Sequence, residues 1–495
     1  GSKVAHKHSL SKTRSPGTEA NWKIEGEAEA SGPHHFASPA LAAGADASEE
    51  GRRPLVIRFT NCRVLLSGRI CNDDLWVQGR SILSAKEHFW EFNLPRQMAD
   101  RIVDCSGLIL APGLIDLQVN GGFGVDFSSP TENTARGLDC VAKLLLRHGV
   151  TAFLPTIITS SPEAYRRILP RLQPRHGSAS GAAVLGVHLE GPFISARKAG
   201  CHPVQNIIAP DGRPRMLSRA CGEHTRNVRL TTLAPELPHA EVLISELLSE
   251  GITVSCGHSM ADEVQIRRAL DAGATMCTHM FNAMPAFNSR SPGIIGMLGC
   301  SSHAPYFGLI ADGVHVHPAS VSIAATARPD RVVLVTDAMA ALGLPDGVYT
   351  LGGVRVRVAG DRAEIADVND SFGGNGANGG GGGSGGGKNS EICDGNGRNA
   401  GSSGGNGGSS GTLAGGVVPL DECVRRFRAY CCVGAAMALE CASLHAARAL
   451  GIDGHKGTLE PGADADFILL DDDLNVQATF IGGELVWAKS TSADS

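Results

Sequence analysis

One glutamate and two histidines stand at the ends of strand-like runs, and their types suit a metal ion. Glu190 ends the run Val-His-Leu-Glu, His258 follows Val-Ser-Cys-Gly, and His279 follows Cys-Thr. One carboxylate and two imidazoles form a ligand set found in catalytic Zn²⁺ sites, which leave a further position open for water. Asp337 closes the run Val-Leu-Val-Thr-Asp, and a free carboxylate beside such a water can act as a general base. Together the four residues predict metal-assisted hydrolysis.

Each of these residues also has an ordinary structural interpretation when it is taken alone. Glu190 could be a helix N-cap or an ion-pair residue, a single histidine at a strand end is more often a satisfied core residue, and Asp337 could form a turn. The combination favours the metal site, because neighbouring strands lie about 5 Å apart and side chains at their ends can converge on one ion. Asp337 near that ion is then better explained as a general base.

Further polar residues follow the same strand ends. His202 and His315 stand in loops after strands, where solvent exposure is the alternative interpretation. Asn282, Ala283 and Arg290 follow His279 closely, and backbone N–H groups with an arginine suit the recognition of a phosphate or carboxylate. A lone arginine is usually a solvated surface charge, so this pattern by itself leaves the role of Arg290 open.

The elements that would position these residues alternate between strand and helix. Apolar runs and amphipathic helical spacing alternate from residue 114 onward, which indicates parallel β/α architecture. Eight such units predict a closed (β/α)8 TIM-like barrel, and barrel enzymes place their chemistry at the C-terminal ends of the strands. The eight predicted strands cover residues 114–119, 152–156, 183–189, 228–233, 253–256, 275–278, 306–310 and 332–336.

Short strands before and after the barrel predict a small β-sandwich domain built from both ends of the chain. We expect the chain to divide into the following parts: a disordered extension at 1–53, the first part of the β domain at 54–111, the barrel at 112–340, a middle part of the β domain at 341–368, a Gly/Asn/Ser-rich disordered insert at 369–411, a barrel-closing loop and helices at 412–454, the last part of the β domain at 455–489, and a tail at 490–495.

Composition excludes some classes of function. The net charge of the 495-residue chain is −6, and its sequence has no basic run long enough to follow a nucleic-acid backbone. Its 14 cysteines form no Cys-x-x-Cys pair, so we expect reduced thiols in a cytoplasmic protein. We expect neither a membrane span nor a secretory signal.

Several motifs extend the pattern beyond the four residues. They are His188-Leu-Glu-Gly-Pro-Phe, Gly257-His-Ser, Thr278-His-Met-Phe-Asn-Ala-Met-Pro, Ala311-Asp-Gly-Val-His, Val335-Thr-Asp-Ala, Thr412-Leu-Ala-Gly and Gly462-Ala-Asp-Ala-Asp-Phe. From about residue 55 to 487, without the insert, the chain resembles the N-acetylglucosamine-6-phosphate deacetylases of the amidohydrolase superfamily, and its C-terminal stretch resembles the animal-type enzymes.

The resemblance implies a homodimer and a role for each matching residue. It makes Glu190, His258 and His279 the metal ligands, Asp337 the catalytic acid and base, and His202 the residue that polarises the acetyl carbonyl. It also implies the following substrate contacts: Cys201, His202, Asn282, Ala283, Asp312, Gly313, Val314, His315, Leu413, Ala414, Gly415, and Arg290 reaching the substrate phosphate of the neighbouring subunit.

One departure from the wider superfamily bears on the number of metal ions. Many amidohydrolases have His-x-His after the first barrel strand and bind two metals, whereas this chain has Gln118-Val-Asn120. Amides are poor ligands beside imidazole, so we expect one divalent ion per subunit, with Zn²⁺ favoured and Fe²⁺, Co²⁺ or Mn²⁺ also compatible.

The predicted reaction is the deacetylation of N-acetyl-D-glucosamine 6-phosphate to D-glucosamine 6-phosphate and acetate in amino-sugar catabolism. The alternatives are an amidohydrolase acting on another N-acyl sugar or a cyclic amide, and a non-catalytic scaffold of the same fold. The retained ligands and Asp337 disfavour the scaffold.

Overall fold

The computed structural model describes residues 24–25, 54–84, 99–131, 133–300, 304–366 and 411–490. The strands are, in chain order, β1 Ile24–Glu25, β2 Val56–Leu66, β3 Arg69–Gln78, β4 Ser81–Ile82, β5 Arg101–Asp104, β6 Ile109–Pro112, β7 Leu114–Val119, β8 Gly121–Gly122, β9 Val125–Asp126, β10 Val150–Ile158, β11 Ala183–Val184, β12 Val187–Glu190, β13 Val228–Leu233, β14 Thr253–Cys256, β15 Met276–Cys277, β16 Tyr306–Leu309, β17 Val332–Leu334, β18 Gly347–Leu351, β19 Val354–Ala359, β20 Arg362–Ile365, β21 Phe467–Leu470, β22 Val476–Ile481 and β23 Glu484–Ala488. The α-helices are α1 Thr134–Leu145, α2 Pro162–Ile168, α3 Met216–Cys221, α4 Ala240–Ser249, α5 Glu263–Asp271, α6 Pro318–Ala327, α7 Leu420–Cys431, α8 Ala435–Glu440 and α9 Leu444–Ala449.

Eight parallel strands form the barrel, which confirms the predicted fold. Their order around the barrel is β7, β10, β12, β13, β14, β15, β16 and β17. The circle closes through a parallel bridge between Val119, at the end of β7, and Ala338, just after β17. The N–H of Asn120 donates to the carbonyl of Ala338 at 2.7 Å. The seam of the barrel therefore lies beside Asp337.

Both faces of each barrel strand are covered by other parts of the protein, and for this reason the strands are continuous apolar runs. Every residue of β10 is buried, as expected for a parallel sheet enclosed by helices. The helices need only one apolar face. In α1 the buried residues Leu138, Val141, Ala142 and Leu145 recur at three- and four-residue spacing, so the helix packs on the barrel with one side.

A nine-stranded sheet combines both ends of the chain, as predicted. Its central path is β1-β5-β2-β6-β21-β22-β23, and β6 pairs with β2 on one side and with β21 on the other. Phe59, Phe467 and Phe480 form an aromatic cluster in its core, with ring centroids 4.7–5.3 Å apart. Burying each phenylalanine contributes about 1.5–3 kcal/mol, so this cluster is a main source of stability for the sheet domain.

Two predicted boundaries differ from the structure. The strands expected at 341–368 to join the β domain instead form a separate antiparallel sheet, β18-β19-β20, which packs on Ile158 and Met339 near the barrel mouth. Alternating polarity predicts strands but not the sheet that they join, and here the apolar face of the hairpin finds its partners at the barrel. Within 1–53, expected to be disordered, Ile24–Glu25 pair with the open edge of β5. The rest of that extension, most of the insert expected at 369–411 and most of the tail lie outside the described residues.

Helices long and apolar enough to cross a lipid bilayer do not occur in the described parts of the chain.

Candidate active site

The candidate catalytic residues lie together at the C-terminal edge of the barrel. Glu190 is the last residue of β12, His258 and His279 each come two residues after β14 and β15, and Asp337 comes three residues after β17. Glu190, His258 and His279 are all buried. The parallel strands bring together four residues that are up to 147 positions apart in the sequence (337 − 190 = 147).

Three of these residues have left-handed backbone. The φ angle is 47° at His258, 25° at His279 and 50° at Asp337. Non-glycine residues seldom adopt this region, and the strain is concentrated where surrounding structure enforces it, commonly at functional sites.

The donor atoms of Glu190, His258 and His279 form a tight triangle. Oε1 of Glu190 lies 3.2 Å from Nε2 of His258 and 2.9 Å from Nε2 of His279, and the two Nε2 atoms are 3.0 Å apart. Ligands about 2.0–2.1 Å from a zinc ion at tetrahedral angles are roughly 3.3 Å from one another. The triangle is therefore of the size that one small divalent ion requires.

The tautomer of His258 fits a ligand. Its Nδ1 lies 2.8 Å from the carbonyl oxygen of Lys198, which can only accept a hydrogen bond. The Nδ1 proton is therefore directed to Lys198, and the lone pair of Nε2 faces Glu190 and His279. Fixing the outer nitrogen in this way is the usual support of a metal-bound histidine. The corresponding Nδ1 of His279 is buried without a partner among the described residues.

A second set of donor atoms overlaps the first. Glu190, His202 and His258 present atoms that all lie within 4.8 Å of one another. The backbone N–H of Thr159 donates to Nδ1 of His202 at 3.2 Å, so Nδ1 carries a lone pair and neutral His202 holds its proton on Nε2. A protonated Nε2 donates a hydrogen bond and does not bind a metal, which favours His279 over His202 as the third ligand.

Electrostatics keep Glu190 ionised. Burial by itself would raise the pKa of Glu190, but its contacts with the imidazoles of His202, His258 and His279 outweigh burial and hold this pKa well below the usual range. An ionised carboxylate between imidazoles attracts a cation.

Asp337 has one occupied and one available oxygen. Its Oδ1 accepts hydrogen bonds from Nε2 of Gln118 at 2.9 Å and from Nδ2 of Asn120 at 2.7 Å. Burial, followed by the charge of Glu190, raises the pKa of Asp337 to about 6, against the opposing charges of His279 and His315. A carboxyl group with a pKa in this range can take up and release a proton near neutral pH.

Gln118 and Asn120 direct N–H groups at the carboxylates. Nε2 of Gln118 also donates to Oε1 of Glu190 at 2.8 Å, so this amide bridges Glu190 and Asp337. Both positions therefore present hydrogen-bond donors where a two-metal amidohydrolase would present imidazole ligands. This geometry supports a single ion.

Several of the predicted substrate-contact residues contact the segments that carry this centre. Asn282 and Ala283 follow His279 directly, and the carbonyl of Ala283 accepts from the N–H of Ser259 at 3.1 Å. The N–H of Gly416 donates to the carbonyl of Asp337 at 2.7 Å, and the backbone of the preceding Gly415 also approaches that carbonyl closely. Cys201 packs in the same apolar cluster as Ala414.

The loop 312–315 carries His315, whose charge acts on the pKa of Asp337. Oδ2 of Asp312 is 2.7 Å from Nδ1 of His315, and Oδ1 accepts from the N–H groups of Val314 and His315 at 2.8 Å each. Asp312 therefore orients the imidazole of His315. Arg290, in contrast, is exposed on a loop.

Sequence reasoning missed the groups that orient the histidines. The carbonyl of Lys198 and the N–H of Thr159 are backbone groups that every residue type except proline supplies, so nothing in the sequence marks them. Gln118 was recognised as a poor ligand, but its bridge between Glu190 and Asp337 depends on strand ends that only the closed barrel brings together.

Comparison with known proteins places the chain in a family. Residues 109–486 match the family model described as the amidohydrolase family. N-acetylglucosamine-6-phosphate deacetylase of Bos taurus is 44% identical over 442 residues, covering 88% of this chain and 96% of that protein. N-acetylgalactosamine-6-phosphate deacetylase of Escherichia coli O157:H7 is 34% identical, covering 76% and 87%.

A solved structure agrees with these relatives. A variant of N-acetyl-D-glucosamine-6-phosphate deacetylase from Mycobacterium smegmatis, in complex with N-acetyl-D-glucosamine-6-phosphate, superposes with a TM-score of 0.68 at 27% identity, covering 88% of this chain and all of that one. The chain belongs to the amidohydrolase family and, within it, to the N-acetylglucosamine-6-phosphate deacetylases.

Proposed function

We propose that this protein hydrolyses the acetamide of N-acetyl-D-glucosamine 6-phosphate, releasing D-glucosamine 6-phosphate and acetate. The observation that carries the proposal is the position of Asp337 beside the Glu190–His258–His279 triangle, with one carboxylate oxygen free of hydrogen bonds from the two amides. The substrate is inferred from the N-acetylglucosamine-6-phosphate deacetylases that are 44% identical over most of the chain.

Glu190, His258 and His279 would hold one divalent metal ion. The size of the triangle and the lone pair of His258 support this assignment. Zinc suits one carboxylate and two imidazoles, and iron, cobalt or manganese also accept this ligand set. When bound, such an ion acidifies a coordinated water and polarises a carbonyl oxygen.

The residues of the chain move the protons. Oδ2 of Asp337 accepts a proton from the attacking water as the new C–O bond forms. The N–H at Nε2 of His202 donates to the carbonyl oxygen of the acetamide as negative charge develops on it. Asp337 then gives its proton to the leaving nitrogen as the C–N bond breaks, which yields the free amine. The second hydrogen of the water leaves with acetic acid, which ionises to acetate.

The remaining predicted contacts would bind the phosphosugar. Asn282, Ala283 and the loop 312–315 would hold the sugar and its phosphate. The segment 413–415 would line the acetyl end, and Cys201 would contact the substrate beside His202. Arg290 would reach the phosphate bound by the partner subunit of a homodimer. Its exposure in the single chain is compatible with that role. We place the enzyme in the cytoplasm, in keeping with the free thiols of the described cysteines.

A second candidate substrate is the galactosamine epimer, because a relative at 34% identity is an N-acetylgalactosamine-6-phosphate deacetylase. Acetate release from N-acetylglucosamine 6-phosphate, N-acetylgalactosamine 6-phosphate and unphosphorylated N-acetylglucosamine would separate the possibilities. We expect the highest kcat/KM with the first sugar and a large loss without phosphate. Equal rates with and without phosphate, or no acetate from the glucosamine substrate by metal-loaded protein, would refute the proposal.

A further inference from the structure

One arginine of α7 contacts both the loop 312–315 and the turn between β19 and β20. Nη1 of Arg426 donates to the backbone carbonyl of Asp312 at 2.6 Å, and Nη2 lies 2.9 Å from Oδ2 of Asp361. Nε donates to Oε1 of Glu422, one turn earlier in the helix, at 2.7 Å. The side chain of Arg426 is 23% exposed, and that of its partner Asp361 is 50% exposed.

The contact with Asp312 supports the loop that carries His315. The carboxylate of Asp312 is already engaged by the N–H groups of Val314 and His315 and by the imidazole of His315. Arg426 adds a hydrogen bond to the backbone of the same residue. Gly313 has a φ of 77°, and a Cβ at this position would lie 2.6 Å from the hydroxyl of Tyr430, so the turn packs directly against α7.

The contact with Asp361 connects Arg426 to the sheet that pairs with the segment 413–415. Asp361 lies in the turn between β19 and β20, and β20 meets the segment after the insert. Glu364 of β20 bridges to Leu413, and the N–H of Ala414 donates to the carbonyl of Ala363 at 3.1 Å. The sheet that Arg426 anchors is therefore the one that holds the segment 413–415.

We propose that Arg426 is a positioning residue that fixes the separation of the loop 312–315 from the segment 413–415, and thereby the fit of the phosphosugar. The inference rests on the proposed function, which assigns both segments to substrate binding. A guanidinium suits this role because its donors point in fixed directions within one plane and can serve three acceptors at once. Lysine has one ammonium group at the end of a flexible chain and would not span the same three partners.

The neighbouring Arg425 provides a matched control. It lies on the same helix and pairs with Asp421 at 3.1 Å and with Glu422 at 2.8 Å, but it donates to the carbonyl of Leu474, away from the loop 312–315. Arg425→Met therefore removes a comparable set of ion pairs from α7 without touching either substrate segment.

The test compares Arg426→Met, Arg426→Lys and Arg425→Met in the metal-loaded, full-length protein. A hydrogen bond from a charged group shifts a conformational equilibrium by about tenfold or more, and apparent affinity falls with the fraction of molecules whose loop 312–315 keeps its binding arrangement. We expect Arg426→Met to raise KM for N-acetylglucosamine 6-phosphate by about that factor with a smaller change in kcat, Arg426→Lys to be intermediate, and Arg425→Met to keep the wild-type KM. Metal content should be unchanged in all three.

Hydrogen–deuterium exchange gives a readout that does not depend on activity. Faster exchange in both 312–315 and 412–416 is expected in Arg426→Met and not in Arg425→Met. Wild-type KM and exchange in Arg426→Met, or equal effects of the two methionine variants, would overturn the role of Arg426. An inactive wild-type protein with the expected exchange difference would instead refute the proposed function and leave the structural coupling standing.

Discussion

Replacing Asp337 by asparagine tests the central assignment with little disturbance to the structure. Oδ1 of Asp337 accepts from two amide groups, those of Gln118 and Asn120. An asparagine keeps this oxygen in place, because the reverse orientation would direct its own N–H₂ at two other donors. The substitution therefore exchanges only Oδ2, the oxygen assigned to proton transfer, for a nitrogen that has no basic lone pair.

The expected loss follows from the number of steps that this oxygen serves. A general acid or base contributes about 10²–10⁴-fold to rate, and Asp337 would act first as base and then as acid. We expect kcat to fall by about 10³-fold or more, equivalent to about 4 kcal/mol of transition-state stabilisation. KM should change little, since no substrate contact is assigned to Oδ2.

The assay is acetate release under saturating substrate, with metal content and thermal unfolding measured on the same preparations. The pH profile adds an independent readout. Because burial raises the pKa of Asp337 to about 6, wild-type kcat/KM should decline as the carboxylate is protonated on the acid side, and a bound cation would move that decline to lower pH. The reasoning would be refuted if a metal-replete Asp337→Asn variant kept more than a tenth of wild-type kcat and showed the same decline of kcat/KM at acid pH.

Two further predictions concern the metal site and the barrel seam. His258→Asn should lower zinc content measured by mass spectrometry from one ion per chain to well below one, and unchanged stoichiometry would exclude His258 as a ligand. Burial raises the pKa of Asp116 to about 7, and its Oδ2 lies 2.6 Å from Oγ1 of Thr336 across the seam. Between about pH 4 and pH 7 the native state therefore retains a proton on Asp116 that the unfolded chain releases. The contribution of this carboxyl group to the free energy of unfolding is fully present below about pH 4 and is lost as pH rises through 7. Asp116→Asn imitates the protonated form and should flatten this fall in urea-denaturation midpoints between pH 4.5 and 7.5, whereas an unaltered slope would count against the assignment.

Much of the architecture was predictable because it depends on local patterns. Apolar runs separated by amphipathic helical spacing indicated eight parallel strands, and the structure contains them in sequential order around the barrel. In a parallel barrel all C-terminal strand ends open to the same side, so Glu190, His258, His279 and Asp337 had to lie at one edge. The sequence motifs likewise indicated the family, which the comparisons confirm.

Contacts between remote segments could not be predicted in the same way. The strands β18–β20 have ordinary alternating polarity, yet only packing on Ile158 and Met339 determines that they form their own sheet. The orienting groups on His202 and His258 are backbone atoms of Thr159 and Lys198, which leave no mark in the residue types.

The sequence by itself determined the barrel, the residue types available at its mouth and the class of chemistry that they support. Tertiary structure alone decided the protonated nitrogen of His202, the bridge of Gln118 between Glu190 and Asp337, and the contacts of Arg426 with Asp312 and Asp361. The physical reason is that periodicity encodes which face of an element is buried. Hydrogen bonds between distant segments depend instead on distances and directions that exist only after the elements have packed.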